Sequence, residues 1–70
     1  MSYNKYKYTI YFGGDITFKK DAVMAVYCIK GKVYEGKCIL YNKELMIIEH
    51  ERVVIHIPVK DIKYIKSDTI

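Results

Sequence analysis

The chain has 70 residues, 51% of them hydrophobic and 29% charged, which excludes a disordered segment and allows one small domain spanning residues 1–70. A formal net charge of +4 and a pI near 9.1 favour polyanionic partners. Two cysteines, Cys28 and Cys38, make no disulfide scaffold, residues 22–29 are too short an apolar run to cross a membrane, and the first ten residues carry no apolar signal core, so a reducing cytoplasm is expected.

The elements follow in chain order. Tyr6, Tyr8, Ile10 and Phe12 alternate with Lys5, Lys7, Thr9 and Tyr11, a period of two with one apolar face. After Gly13-Gly14-Asp15, Ile16 and Phe18 resume the alternation, which predicts a tyrosine-rich N-terminal hairpin with a three-residue loop. Residues 22–29 predict a strand buried on both faces, with a short helix started by Asp21 as the alternative. Lys30-Gly31-Lys32 is a turn, and Val33 to Tyr41 is a long strand in which Gly36 predicts a bulge or sharp bend. Asn42-Lys43 is the next turn, residues 45–48 a short strand, and His50-Glu51-Arg52 a further turn. Residues 53–57 alternate until Pro58, which has no N–H to donate. Val59-Lys60-Asp61 then predicts one 3₁₀ turn, and residues 62–65 a last strand before a fraying end.

Six or seven short strands at this spacing predict an all-β fold, and at this length a small bent-strand barrel, because closure removes edges that a Val/Ile-rich chain exposes at a risk. With Gly31-Lys32 setting the turn, Cys28 falls opposite Glu35 and Cys38 opposite Ala25, too far apart to bridge.

Gly31-Lys32, Gly36, Cys38, Tyr41, Asn42 and the run Leu45, Met46, Ile47, Ile48 carry the spacing of a known first motif. Ile57, Pro58-Val59, Ile62 and Ile65 carry that of a second. On these positions, about half of the chain, the sequence resembles the Sm/LSm family, including Hfq. The resemblance implies an Sm/SH3-like barrel and a ring of copies, here with the extra N-terminal hairpin. The family's RNA-pocket positions are not retained: Met46 stands where the family has a base-binding Asn, Glu44 where a residue stacks, and Pro58 where an Arg sits. No site is carried over from it.

The candidate contact residues come from the chain's own pattern. Lys5, Lys7 and Tyr11 interleave charge with an aromatic, as a stacking platform for single strands requires, while Tyr6 and Tyr8 are expected in the core. Lys30, Lys32, Lys37 and Lys43 flank the central hairpins and leave that region net positive, with Lys30, Lys32 and Lys37 the candidates for contact. Arg52 is the only arginine, so contact with phosphates is expected rather than bidentate reading of bases. Cys28, Cys38, His50 and His56 match no zinc spacing, and no nucleophile, base and orienting acid fall together, so neither a cofactor nor catalysis is expected. The expected function is a non-catalytic, homo-oligomeric regulatory module binding RNA or single-stranded DNA. The alternatives are a protein-interaction or inhibitor module, such as a phage or plasmid encodes, and a ring holding a small nucleotide between subunits. Strands after Tyr41 and before Lys66 are the edges expected to pair with a neighbouring copy.

Overall fold

The computed structural model describes residues 6–11, 18–19 and 21–68. They form six antiparallel strands in one sheet: β1 (Tyr8–Tyr11), β2 (Val23–Cys28), β3 (Val33–Tyr41), β4 (Leu45–His50), β5 (Val53–Pro58) and β6 (Ile62–Ser67). The sheet order is β1-β6-β2-β3-β4-β5. One 3₁₀ turn, Val59–Asp61, links β5 to β6, as the residues after Pro58 predict. Among the described residues no helix is long and apolar enough to cross a membrane.

The all-β class holds, but the sheet is open. β1 and β5 are its two edges, and the hydrogen-bonding does not close a barrel. The sheet nonetheless curls. β6 lies four strand spacings from β5, which in a flat sheet is about 19 Å. The connector from Pro58 to Ile62 is a single 3₁₀ turn, which rises only about 2 Å per residue. It bridges the gap only if the two ends of the sheet bend toward each other. The inner faces then share one core: Met24 and Val26 from β2, Cys38 from β3, Met46 and Ile48 from β4, Ile57 from β5, and Ile62 and Ile65 from β6. Phe18 packs against this core, edge-on to Tyr41 with ring centroids 5.1 Å apart.

Several local features differ from the sequence expectation. β1 pairs with β6, with Tyr8 opposite Ser67 and Tyr11 opposite Tyr64, and the return strand expected at residues 16–17 lies outside the described residues. Phe18 and Lys19 are not in a strand, and the loop expected at residues 13–15 lies outside the described residues. Because β6 extends to Ser67, whose buried hydroxyl donates to the Val23 carbonyl at 3.1 Å, residues 66–67 do not fray. Tyr6 and Tyr8 are also outside the core; Tyr8 is 43% exposed on the edge strand.

The β2–β3 register differs from expectation as well. Ala25 pairs with Glu35 and Tyr27 with Val33. The turn is a three-residue loop in which Cys28 N–H donates to the Lys32 carbonyl at 2.8 Å and Gly31 N–H to the Cys28 carbonyl at 3.0 Å. Gly31 takes φ +95°, a left-handed conformation natural to glycine. Both cysteines stay free. Gly36 is not the bulge, which lies between Cys38 and Leu40. A Cβ at Gly36 would stand 2.5 Å from the Glu49 carbonyl oxygen, so glycine is there to let two backbones approach.

Candidate nucleic-acid interface

In antiparallel pairing, residues directly opposite share a face. The register sets Tyr11 of β1 opposite Tyr64 of β6, and Tyr64 opposite Tyr27 of β2. Ile10, Ile65 and Val26 fill the next row and point to the opposite, inner side, so the three tyrosines lie on the outer face. Tyr27 and Tyr64 stack with centroids 4.6 Å apart and planes 22° apart. Tyr11 tilts onto Tyr64 at 5.6 Å and 53°. Tyr11 is the open end of this row, 69% exposed, while the other two are half-buried against each other.

Lysine and carboxylate flank the row. Lys66, two residues from Tyr64, places its Nζ 5.4 Å from the Tyr27 centroid, within range of a cation–π contact. Ala25 and Glu35 continue the Lys66 row across β2 and β3. The Tyr6 hydroxyl crosses this face to donate to a Glu35 carboxylate oxygen. Burial, then the Glu35 bond, pushes the Tyr6 phenol well above its ordinary range, so Tyr6 stays a neutral donor.

The sequence-derived candidates do not gather in one place. Tyr11 is in the aromatic row. Lys7 is exposed just before β1, where its backbone N–H donates to Asp68 Oδ1 at 3.1 Å. Lys5 lies outside the described residues. Lys30 and Lys32 sit at the β2–β3 turn, Lys30 two residues past the end of β2 and Lys32 one residue before the start of β3. They line a cleft of about 260 Å³ with Tyr34, His56, Pro58 and Asp61. Burial, then Asp61, raises the Cys28 thiol in this cleft, and Lys32 pulls it down. Lys37 stands apart. It pairs with Glu49 across β3–β4 and shares a shallow groove with Glu35 and Glu51, whose carboxylates oppose phosphate there.

Tyr27, Tyr64 and Lys66 were not among the sequence candidates. Tyr27 and Tyr64 are far apart in the chain, and only the β2–β6 pairing joins them. The available signal was the outward parity of each tyrosine in its own strand. At Asn42, in the position aligned with the family motif, the side chain serves the fold: its Oδ1 accepts from the N–H groups of Glu44 at 2.8 Å and Leu45 at 2.9 Å. Among the described residues, no three or more His, Cys, Asp or Glu side chains cluster to hold a metal ion. The chain matches no known family profile, no characterised protein and no solved structure.

Proposed function

We propose that this chain is a non-catalytic small β module that binds single-stranded RNA or DNA along its outer face, on a curled sheet of the Sm/SH3-like type. The observation that carries this reading is the Tyr11–Tyr64–Tyr27 row with Lys66 over its inner end. Tyr11 offers an open ring on which a base stacks. Tyr64 and Tyr27 hold that ring in place. Lys66 supplies positive charge beside the row for a phosphate, and Lys30 and Lys32 add positive charge at the β2–β3 turn, where they line the neighbouring cleft. With lysine rather than arginine at these positions, recognition is of backbone and stacking surface, and sequence preference is weak.

Fluorescence anisotropy with labelled single-stranded RNA and DNA at two salt concentrations tests it. Tyr11→Ala should cost about 1–3 kcal/mol of binding if a base stacks there. Replacing Lys30 and Lys32 together by Ala should flatten the salt slope by about 1.4 for a single strand, through two fewer released counterions. No binding at low salt overturns the reading. A protein-interaction module is the second reading, supported by the exposed Val23 and Val33 on the same outer face. It predicts partner capture that persists at high salt, because apolar burial is little screened.

A further inference from the structure

We infer that the chain forms a two-fold dimer by antiparallel pairing of β5 with β5 of a second copy. β6 was expected to offer an edge, yet it is paired on both sides, by β1 and by β2. The open edge on the far side of the sheet is β5, and among the described residues no strand covers it. Natural edge strands are guarded by lysines, inward charges, bulges or proline, and of these β5 carries only Pro58, at its last residue. β5 reads Val-Val-Ile-His-Ile-Pro, contains no Lys, Arg, Asp or Glu, and pairs with β4 in continuous register without a bulge. Val53 and Val54 are 59% and 51% exposed.

The direction of the backbone groups selects a second copy and a register. Val59 N–H donates to the Glu44 carbonyl at 2.9 Å, which marks Glu44 and Val59 as a hydrogen-bonded pair. Hydrogen-bonded pairs recur every second residue, so Val53, Ile55 and Ile57 direct their N–H and C=O groups to β4. Val54 and His56 therefore direct theirs outward. Laid antiparallel about a two-fold axis at Ile55, Val54 of one copy meets His56 of the other. Each then exchanges both of its main-chain bonds, and the relation repeats by symmetry. No outward group of Val54 or His56 is left over. Pro58, which has no N–H, falls beyond these pairs. Moving the axis to His56 instead sets the Val54 carbonyl opposite Pro58, where it finds no donor. A strand whose exposed groups complement themselves in this way calls for its own copy as partner.

Sedimentation of the full chain over a range of concentrations, with amide hydrogen exchange of the same samples, tests the proposal. A dimer is expected, with the Val54 and His56 amides slowing as the dimer fills. Val54→Lys sets a charge on each strand of the interface and should raise the dissociation constant about tenfold or more, with the circular dichroism spectrum retained. A monomer at all accessible concentrations overturns the proposal. So does a dimer or ring in which the Val54 and His56 amides exchange as fast as those of an unpaired edge. The exchange measurement uses the unmodified chain, so misfolding of the variant cannot mask either result.

Discussion

Gly36→Ala is the sharpest test of how β3 and β4 pack. The added Cβ would lie 2.5 Å from the Glu49 carbonyl oxygen and 2.9 Å from its carbon, both backbone atoms that cannot rotate aside. The strands must part locally. Overpacking of this kind costs about 1–3 kcal/mol, and a weakened ladder bond adds about 0.5–1.5, so a loss of about 2–4 kcal/mol is expected. A domain of this size holds roughly 3–5 kcal/mol in all. At about 4–8 °C per kcal/mol, the melting midpoint followed by circular dichroism should fall by at least about 8 °C. Gly31 supplies the control. Its Cβ would meet nothing within 4 Å, and its constraint is only φ +95°. Asn tolerates left-handed backbone, so Gly31→Asn should be mild while Gly36→Asn is as damaging as Gly36→Ala. A Gly36→Ala midpoint within about 4 °C of the parent would refute the close-approach argument.

Two further outcomes follow from the backbone and the titrating groups. Glu51 and Arg52 form the β4–β5 turn with φ of 48° and 70°, where Asn and Gly are the natural residues. Glu51→Asn with Arg52→Gly should stabilise by about 1 kcal/mol, since the lost His50–Glu51 contact is exposed. A lower or unchanged midpoint would count against this turn geometry. The fold also favours the neutral Tyr6 phenol. With the folded pKa raised, that contribution is intact below about pH 10, the unfolded value, and is lost as pH rises above it. Cys28, Cys38 and Tyr41, all raised first by burial, act in the same direction. Denaturant titrations should show stability declining in alkali, and Tyr6→Phe should lower the neutral value and reduce the alkaline slope. An unaltered slope would show that the Tyr6–Glu35 bond does not persist in solution.

What was legible in the sequence was what neighbouring residues decide. Pro58 followed by Val59-Lys60-Asp61 marked the 3₁₀ turn, His50-Glu51-Arg52 marked a hairpin, and Gly36 marked a special backbone position. The β2–β3 register was not legible. Loops of two and three residues around Gly31 differ only in backbone dihedrals, and each sets a different pairing downstream. The partner of β1 was not legible either, because the tyrosine alternation fits any neighbour with a matching face. Since the aromatic row exists only through the β1–β6 and β2–β6 pairings, sequence reasoning reached Tyr11 and stopped there. Lys30, Lys32 and Lys37 looked like one cationic cluster. The pairing of Lys37 with Glu49 separates it from the other two.

The placement of β1 on β6 has a consequence for how the chain folds. β2 to β5 form successive hairpins, each closing a loop of a few residues. β6 must return to β2, and β1 must wait for β6, joining Tyr8 to Ser67 across nearly the whole chain. Closure entropy grows with the length spanned, and β1 brings no fully buried side chain to offset it. β1 should therefore dock last and detach first, in a local opening well below the global unfolding energy. Each opening frees the outer edge of β6 and dismantles the Tyr11 end of the aromatic row. The strand that carries the most exposed tyrosine of that row is also the one that hides an edge.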